Sequence, residues 1–156
     1  MKIVSLSFED GKNIPPKYAY KGVSGGKNIS PHLSWSDVPA DVKSFALSMV
    51  DPHPVARNWV HWLVINIPAK ETELVEGASG KKMPPNSIEL YNSYGELGYG
   101  GPQPPRGSGP HPYVITIYAL NVEKLNLNIN TNLDTFTSIL ESKIITTAKI
   151  TGIFER

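Results

Sequence analysis

The chain has no cysteine, which excludes a disulfide framework, a thiolate zinc site and a cysteine nucleophile, and leaves the redox compartment unread. It also has no charge of one sign in excess. Fifteen Lys and Arg stand against fourteen Asp and Glu, a formal net charge of +1, and the basic residues are scattered. Nucleic acid is therefore not an expected partner, because phosphate backbones are met by basic stripes or runs. Long apolar runs are missing too: no segment approaches the roughly 18 apolar residues of a spanning helix. Residues 1–8 carry one lysine and too short an apolar stretch for a signal peptide. The expectation is a cytoplasmic protein without stable membrane insertion. No repeat, linker or shift in composition divides the 156 residues, so one domain, 1–156, is expected.

What is abundant is glycine and proline, 13 and 14 residues, placed between apolar alternating runs rather than in a block. This is the pattern of a turn-rich, mostly β domain. Strands are expected at 3–8, 44–50, 59–67, 113–120 and 148–154. In the run from Trp59 to Asn66 both alternating sets are apolar, which predicts a central strand covered on both faces; the run from Tyr113 to Tyr118 reads the same way. One segment has helical period: Leu133, Phe136, Ile139, Leu140 and Ile144 recur at three and four, with Thr131 and Asp134 spaced as a capping box. The stretch 84–112 has little regular signal, and so long a loop in a small domain points to function.

Alternation places His61 on one face with Trp59 and Leu63, and His111 with Tyr113 and Ile115. Asp51-Pro52-His53-Pro54 stands just before the third strand, and its prolines rule out regular pairing there. A carboxylate, two or three imidazoles and a phenol can thus converge. With backbone N–H groups of the turn Gly98-Tyr99-Gly100-Gly101, they would suit a phosphate or carboxylate, with Asp51 orienting a histidine. The competing reading of any single histidine is a buried strand cap; the grouping favours a site. Gly22-Val23-Ser24-Gly25-Gly26 fits the nucleophile-elbow pattern of serine hydrolases, but Asn28-Ile29-Ser30-Pro31 cannot open the helix that pattern requires, so it is read as a turn. Asp51, His53, His61 and His111 could in principle ligate a metal, yet no tight ligand motif is present, and neither metal nor cofactor is expected. Gly98 to Gly101 lack the Lys-Ser/Thr of a phosphate-cradling loop, which argues against nucleotide hydrolysis.

Several spaced motifs occur in one order: Ser30-Pro31-His32-Leu33-Ser34-Trp35-Ser36-Asp37-Val38-Pro39, Ser44-Phe45-Ala46-Leu47, Asp51-Pro52, Trp59-Val60-His61-Trp62, Gly98-Tyr99-Gly100-Gly101-Pro102-Gln103-Pro104-Pro105-Arg106-Gly107 and His111-x-Tyr113. On these the chain resembles the phosphatidylethanolamine-binding protein family, which includes the Raf-kinase-inhibitor-like proteins, and within it the short bacterial and archaeal branch. The resemblance implies an antiparallel β-sandwich with a cavity at one end for phosphate, carboxylates or phospholipid head groups. Carried over position by position, it implies a pocket of Asp51, Trp59, His61, Gly101, Pro102, His111 and Tyr113. It further implies binding and inhibitory roles, against serine proteases or in kinase signalling, rather than a common reaction.

Two positions depart from the family pattern. His53 stands where a second carboxylate is usual, and Pro112 replaces the arginine of His-Arg-Tyr. A histidine at 53 could add positive charge below about pH 6.5, so anion binding is expected to strengthen in mild acid. A few charge-assisted hydrogen bonds, at roughly 1.5–3 kcal/mol each, leave a bare anion near millimolar affinity once immobilisation is subtracted. The expected function is therefore inhibition of a chymotrypsin- or elastase-like serine protease, with Tyr94, Leu97 and Tyr99 as candidates on a rigid inhibitory loop. Alternatives are a head-group or phospho-ligand binding module and a weak histidine-dependent hydrolase with His61 or His111 as base. A homodimer is compatible with either.

Overall fold

The structure, a computed structural model, describes residues 1–156. Eight strands and one α-helix form two antiparallel sheets. β1 (Lys2–Val4), β2 (Leu33–Ser36) and β5 (Glu73–Leu74) make a small sheet in the order β1-β2-β5. β3 (Ser44–Asp51), β4 (Trp59–Pro68), β6 (Ile88–Glu89), β7 (His111–Leu120) and β8 (Ile144–Phe154) make the larger one, in the order β6-β4-β3-β7-β8. The helix α1 (Leu133–Glu141) lies on the outer face of the larger sheet.

The doubly apolar runs are what put β3, β4 and β7 at the sheet's centre. One face of this sheet, with Phe45, Leu47, Trp62, Val64, Tyr113, Ile115 and Ile117, meets Leu33, Trp35 and Leu74 of the small sheet in the main core. The other, with Ala46, Leu63, Ile65 and Leu120, is covered by Phe136 and Leu140 of α1. The mostly β sandwich expected from the sequence is the fold observed.

Several boundaries differ for local reasons. The first strand stops at Val4, because the Ser5 hydroxyl turns to the His32 carbonyl and the Leu6 N–H to the His32 ring. α1 is capped by Asn132, whose side chain accepts from the Thr135 N–H, while the Thr131 hydroxyl bonds Asn128 O; the Thr131 capping box does not form. Ile144 leaves the helix and opens β8, which is four residues longer than its alternation suggested. Residues 22–26 form a turn with Val23 N–H to Tyr20 O and Gly26 N–H to Val23 O, not a strand-to-helix elbow.

Alternation also fails inside β4. Met49 pairs with Trp62 but Val50 pairs with Val60, so His61 is the extra residue of a bulge. The bulge resets the phase of the side chains: Leu63 goes under the helix, while His61 packs edge-on to Tyr113 at 5.0 Å between ring centres. The shared face expected for His61 and Leu63 is thus not formed.

Candidate functional site

Because β3 runs antiparallel to both neighbours, its end and the starts of β4 and β7 meet at one edge of the sheet. This brings Asp51, Trp59, His61, His111 and Tyr113 around a cavity of about 340 Å³. Val55 and Ala56 from the turn after β3 and Gln103, Pro104 and Pro105 from the long loop complete the rim, with Tyr94 as a further wall.

The floor is a set of buried polar groups whose hydrogen bonds can be assigned. Asp51 is 2 % exposed; its Oδ1 accepts the His53 N–H and its Oδ2 lies 2.6 Å from His111 Nδ1. His111 Nε2 lies 2.8 Å from Ser108 Oγ, and the Ser108 hydroxyl donates to Pro105 O at 2.6 Å. Asp51, His111 and Ser108 are the residue types of a hydrolytic triad, but the protons run the other way. A hydroxyl has one hydrogen, and the Pro105 carbonyl can only accept, so with its hydrogen on Pro105 O the Ser108 hydroxyl has none left to give His111 Nε2. With Asp51 at Nδ1 and Ser108 at Nε2, the His111 ring is held at both nitrogens and pairs with Asp51 as a buried couple. Ser108, moreover, does not line the cavity.

His61 is fixed differently. Its Nδ1 donates to Gly100 O at 2.6 Å, which selects the tautomer with Nε2 bare. Burial drives its pKa down from 6.5 to about 4, because a charged ring would be stripped of water. Nε2 has no protein partner and is not among the sealed polar atoms, so it opens to the cavity as an acceptor. The Tyr113 hydroxyl likewise has no protein partner and lines the cavity, and burial raises its pKa, keeping it a donor at neutral pH. Tyr94 is held by its hydroxyl on Gly101 O at 2.7 Å and by stacking on Tyr20 at 4.0 Å, and burial raises its pKa as well.

Of the residues selected from the sequence, Asp51, Trp59, His61, His111 and Tyr113 meet at the cavity, and three do not reach it. His53 stacks on the His111 ring at 3.8 Å and uses Nδ1 to accept the Val55 N–H, so it braces the couple from behind instead of presenting charge to a ligand. Gly101 and Pro102 back the site: Gly101 O receives Tyr94, and Pro102 O receives the Tyr20 N–H. A Cβ at Gly101 would lie 2.1 Å from Tyr18 O, so close backbone approach is its role. The glycine turn donates nothing outward. Its four N–H groups go to Leu90 O (Gly98), Ser79 Oγ (Tyr99), His61 O (Gly100) and Asn28 Oδ1 (Gly101).

The inhibitory-loop candidates separate likewise. Tyr99 is 5 % exposed, in the core, with its hydroxyl on Tyr18 O; Tyr94 belongs to the cavity; Leu97 alone is exposed, at 53 %. The sequence reading missed Val55, Ala56, Gln103, Pro104 and Pro105 in the lining and Ser108 beside His111. Only the prolines, in a stiff Pro-rich run near the glycine turn, offered a signal. No cluster of three or more His, Cys, Asp or Glu side chains is placed to hold a metal ion, and no helix is long and apolar enough to cross a membrane.

A two-sheet antiparallel arrangement with a polar-floored cavity at one edge defines a class of β-sandwich proteins. Within it, the chain belongs to the phosphatidylethanolamine-binding protein family, whose model matches residues 4–155. A UPF0098 protein of Aquifex aeolicus is 38 % identical over 156 residues, all of this chain and 89 % of that protein. The UPF0098 protein YbhB of Escherichia coli is 39 % identical over 132 residues, 82 % of this chain and 83 % of YbhB. The crystal structure of E. coli YbcL, described as a new member of the mammalian PEBP family, superposes with a TM-score of 0.93 at 35 % identity, covering 99 % of this chain and 98 % of YbcL.

Proposed function

We propose that the protein binds a small molecule with a compact oxyanion head, a phosphate monoester, and an apolar part next to it. The observation that carries this is the pairing of two open groups, bare His61 Nε2 and the Tyr113 hydroxyl, on the floor of a cavity rimmed by Val55, Trp59, Pro104 and Pro105. A monoprotonated phosphate matches that pair: its P–OH donates to His61 and another oxygen accepts from Tyr113. The volume suits a head group and not acyl chains, at the lower end of ordinary ligand sites. The family's name points to the same head-group chemistry. Binding rather than turnover is favoured by the Ser108 hydroxyl donating to Pro105 O, which leaves no activated nucleophile in the cavity.

Titration of 15N-labelled protein with phenyl phosphate tests the reading. Amide shifts are expected to centre on residues 51, 59–61, 94, 103–105 and 111–113, and Tyr113→Phe is expected to weaken them. Shifts centred elsewhere would overturn it.

A second reading is inhibition of a chymotrypsin- or elastase-like protease through Leu97. Asn92 supports it by holding the turn rigid: its Oδ1 accepts from the Tyr94 and Glu96 N–H groups and its Nδ2 donates to Gly98 O, with Leu97 exposed beside them. Stoichiometric loss of protease activity that disappears in Leu97→Ala would support it, and no loss at micromolar protein would remove it for those enzymes.

A further inference from the structure

The cavity's lining brings no net positive charge of its own. It holds one carboxylate, Asp51, and neither lysine nor arginine. Asp51 Oδ2 lies 2.6 Å from His111 Nδ1, and His61 is neutral in its fixed tautomer. An anionic head group placed there would gain directional hydrogen bonds but no net attraction, and a neutral alcohol could satisfy the same two groups.

One cation stands immediately behind the rim. Arg156, two residues past β8, donates from Nε to the carbonyl of Pro104, a lining residue, at 2.8 Å, and its main-chain oxygen accepts the Gly107 N–H at 3.3 Å. These two bonds tie the 104–107 loop to the end of β8. A guanidinium has five N–H donors. Nε is the only one used, and no carboxylate lies within ion-pair distance, although the residue is partly buried. Four N–H groups therefore have no protein acceptor beside the cavity. The charge is felt inside it, since Arg156 opposes the effect of burial on the Tyr94 and Tyr113 phenols. Arg106, on the same loop, is exposed and has no such tie.

We propose that Arg156 is the specificity-determining cation of this site: held behind Pro104, its guanidinium supplies the positive charge by which the cavity selects an anionic head group over a neutral one. The inference rests on the binding reading above and deepens it. It makes the loop from Pro104 to Gly107 both a wall and the mount of the charge.

The test is a titration of the full chain with phenyl phosphate and, as the neutral counterpart, benzyl alcohol, followed by amide shifts of the cavity residues. Arg156→Met is expected to weaken phenyl phosphate by about three- to tenfold, the size of one nearby unit charge acting without direct contact. Benzyl alcohol should change by less than about twofold on the same scale. Arg156→Lys, which keeps the charge and loses the planar fork, should retain most of the preference for the phosphate. Arg106→Met should leave both ligands as in the wild type.

If Arg156→Met binds phenyl phosphate as the wild type does, Arg156 has no such role and the pocket reading stands. Equal weakening of both ligands would overturn the assignment too, by showing that Arg156 only positions the loop. If phenyl phosphate leaves the cavity residues of the wild type unmoved, the binding reading fails and takes this inference with it. Arg156→Lys keeps the test decisive should the methionine variant melt early, because a lysine variant without phosphate preference also overturns the proposal.

Discussion

His61 should impose a specific pH dependence on stability. In the unfolded chain an ordinary histidine takes up a proton near pH 6.5, whereas in the folded protein burial delays this to about 4. Between those values the unfolded state binds more protons, so acid favours unfolding. The His61 contribution is fully present above pH 6.5 and is lost as pH falls towards 4. From pH 7.5 to 4.5 the two values give a loss of about 2 to 3 kcal/mol from this residue. The group is almost wholly buried, so solvent screening removes little of it. The perturbation is His61→Asn, which keeps a side-chain N–H near Gly100 O and removes the titration. Urea unfolding of both proteins at pH 7.5 and 4.5 separates His61 from the carboxylates, which titrate in both. The variant is expected to start less stable and to lose about 2 to 3 kcal/mol less than the wild type between the two pH values. Equal losses, or a His61 ring proton resonance that titrates near pH 6.5 in the folded protein, would refute the reasoning.

Other outcomes follow from the same geometry. Asp51→Asn removes one half of a buried couple and should cost about 3 kcal/mol in urea unfolding. Gly101→Ala drives a Cβ to 2.1 Å from Tyr18 O and 2.8 Å from Ala19 C, both backbone, and should cost about 2 kcal/mol or more. Gly80→Ala, which meets nothing within 4 Å at φ +71°, isolates the cost of positive φ alone, about 1 kcal/mol. Ser108→Ala should leave p-nitrophenyl acetate turnover at the wild-type level, because the Ser108 hydrogen is given to Pro105 O; turnover lost with Ser108 would reverse that proton placement. Phenyl phosphate affinity should fall about tenfold per pH unit above roughly pH 6, the second ionisation of a phosphate ester, because His61 needs the P–OH. Shift titrations of wild type and His53→Ala at pH 5.5 and 7.5 should show the same fall, and its disappearance in the variant would restore His53 as the titrating group.

What local pattern alone determined was the sandwich and the gathering of the site. Alternation with both faces apolar identifies β4 and β7 as central strands, and residues at adjacent ends of central strands must come together. That is why Asp51, His61, His111 and Tyr113 were legible before any coordinates. The tertiary structure decided which atoms remain free to act. A one-residue bulge aims His61, the four N–H groups of the glycine turn are consumed internally, Tyr99 goes into the core, and His53 backs His111. The cation at the rim comes from Arg156 through a bond to Pro104, 52 positions away. Burial leaves a periodic trace in sequence because it repeats along a strand. The pairing of a particular donor with a particular acceptor across the fold leaves none, and at this cavity that pairing leaves His61 Nε2 open while the N–H groups of the glycine turn are spent.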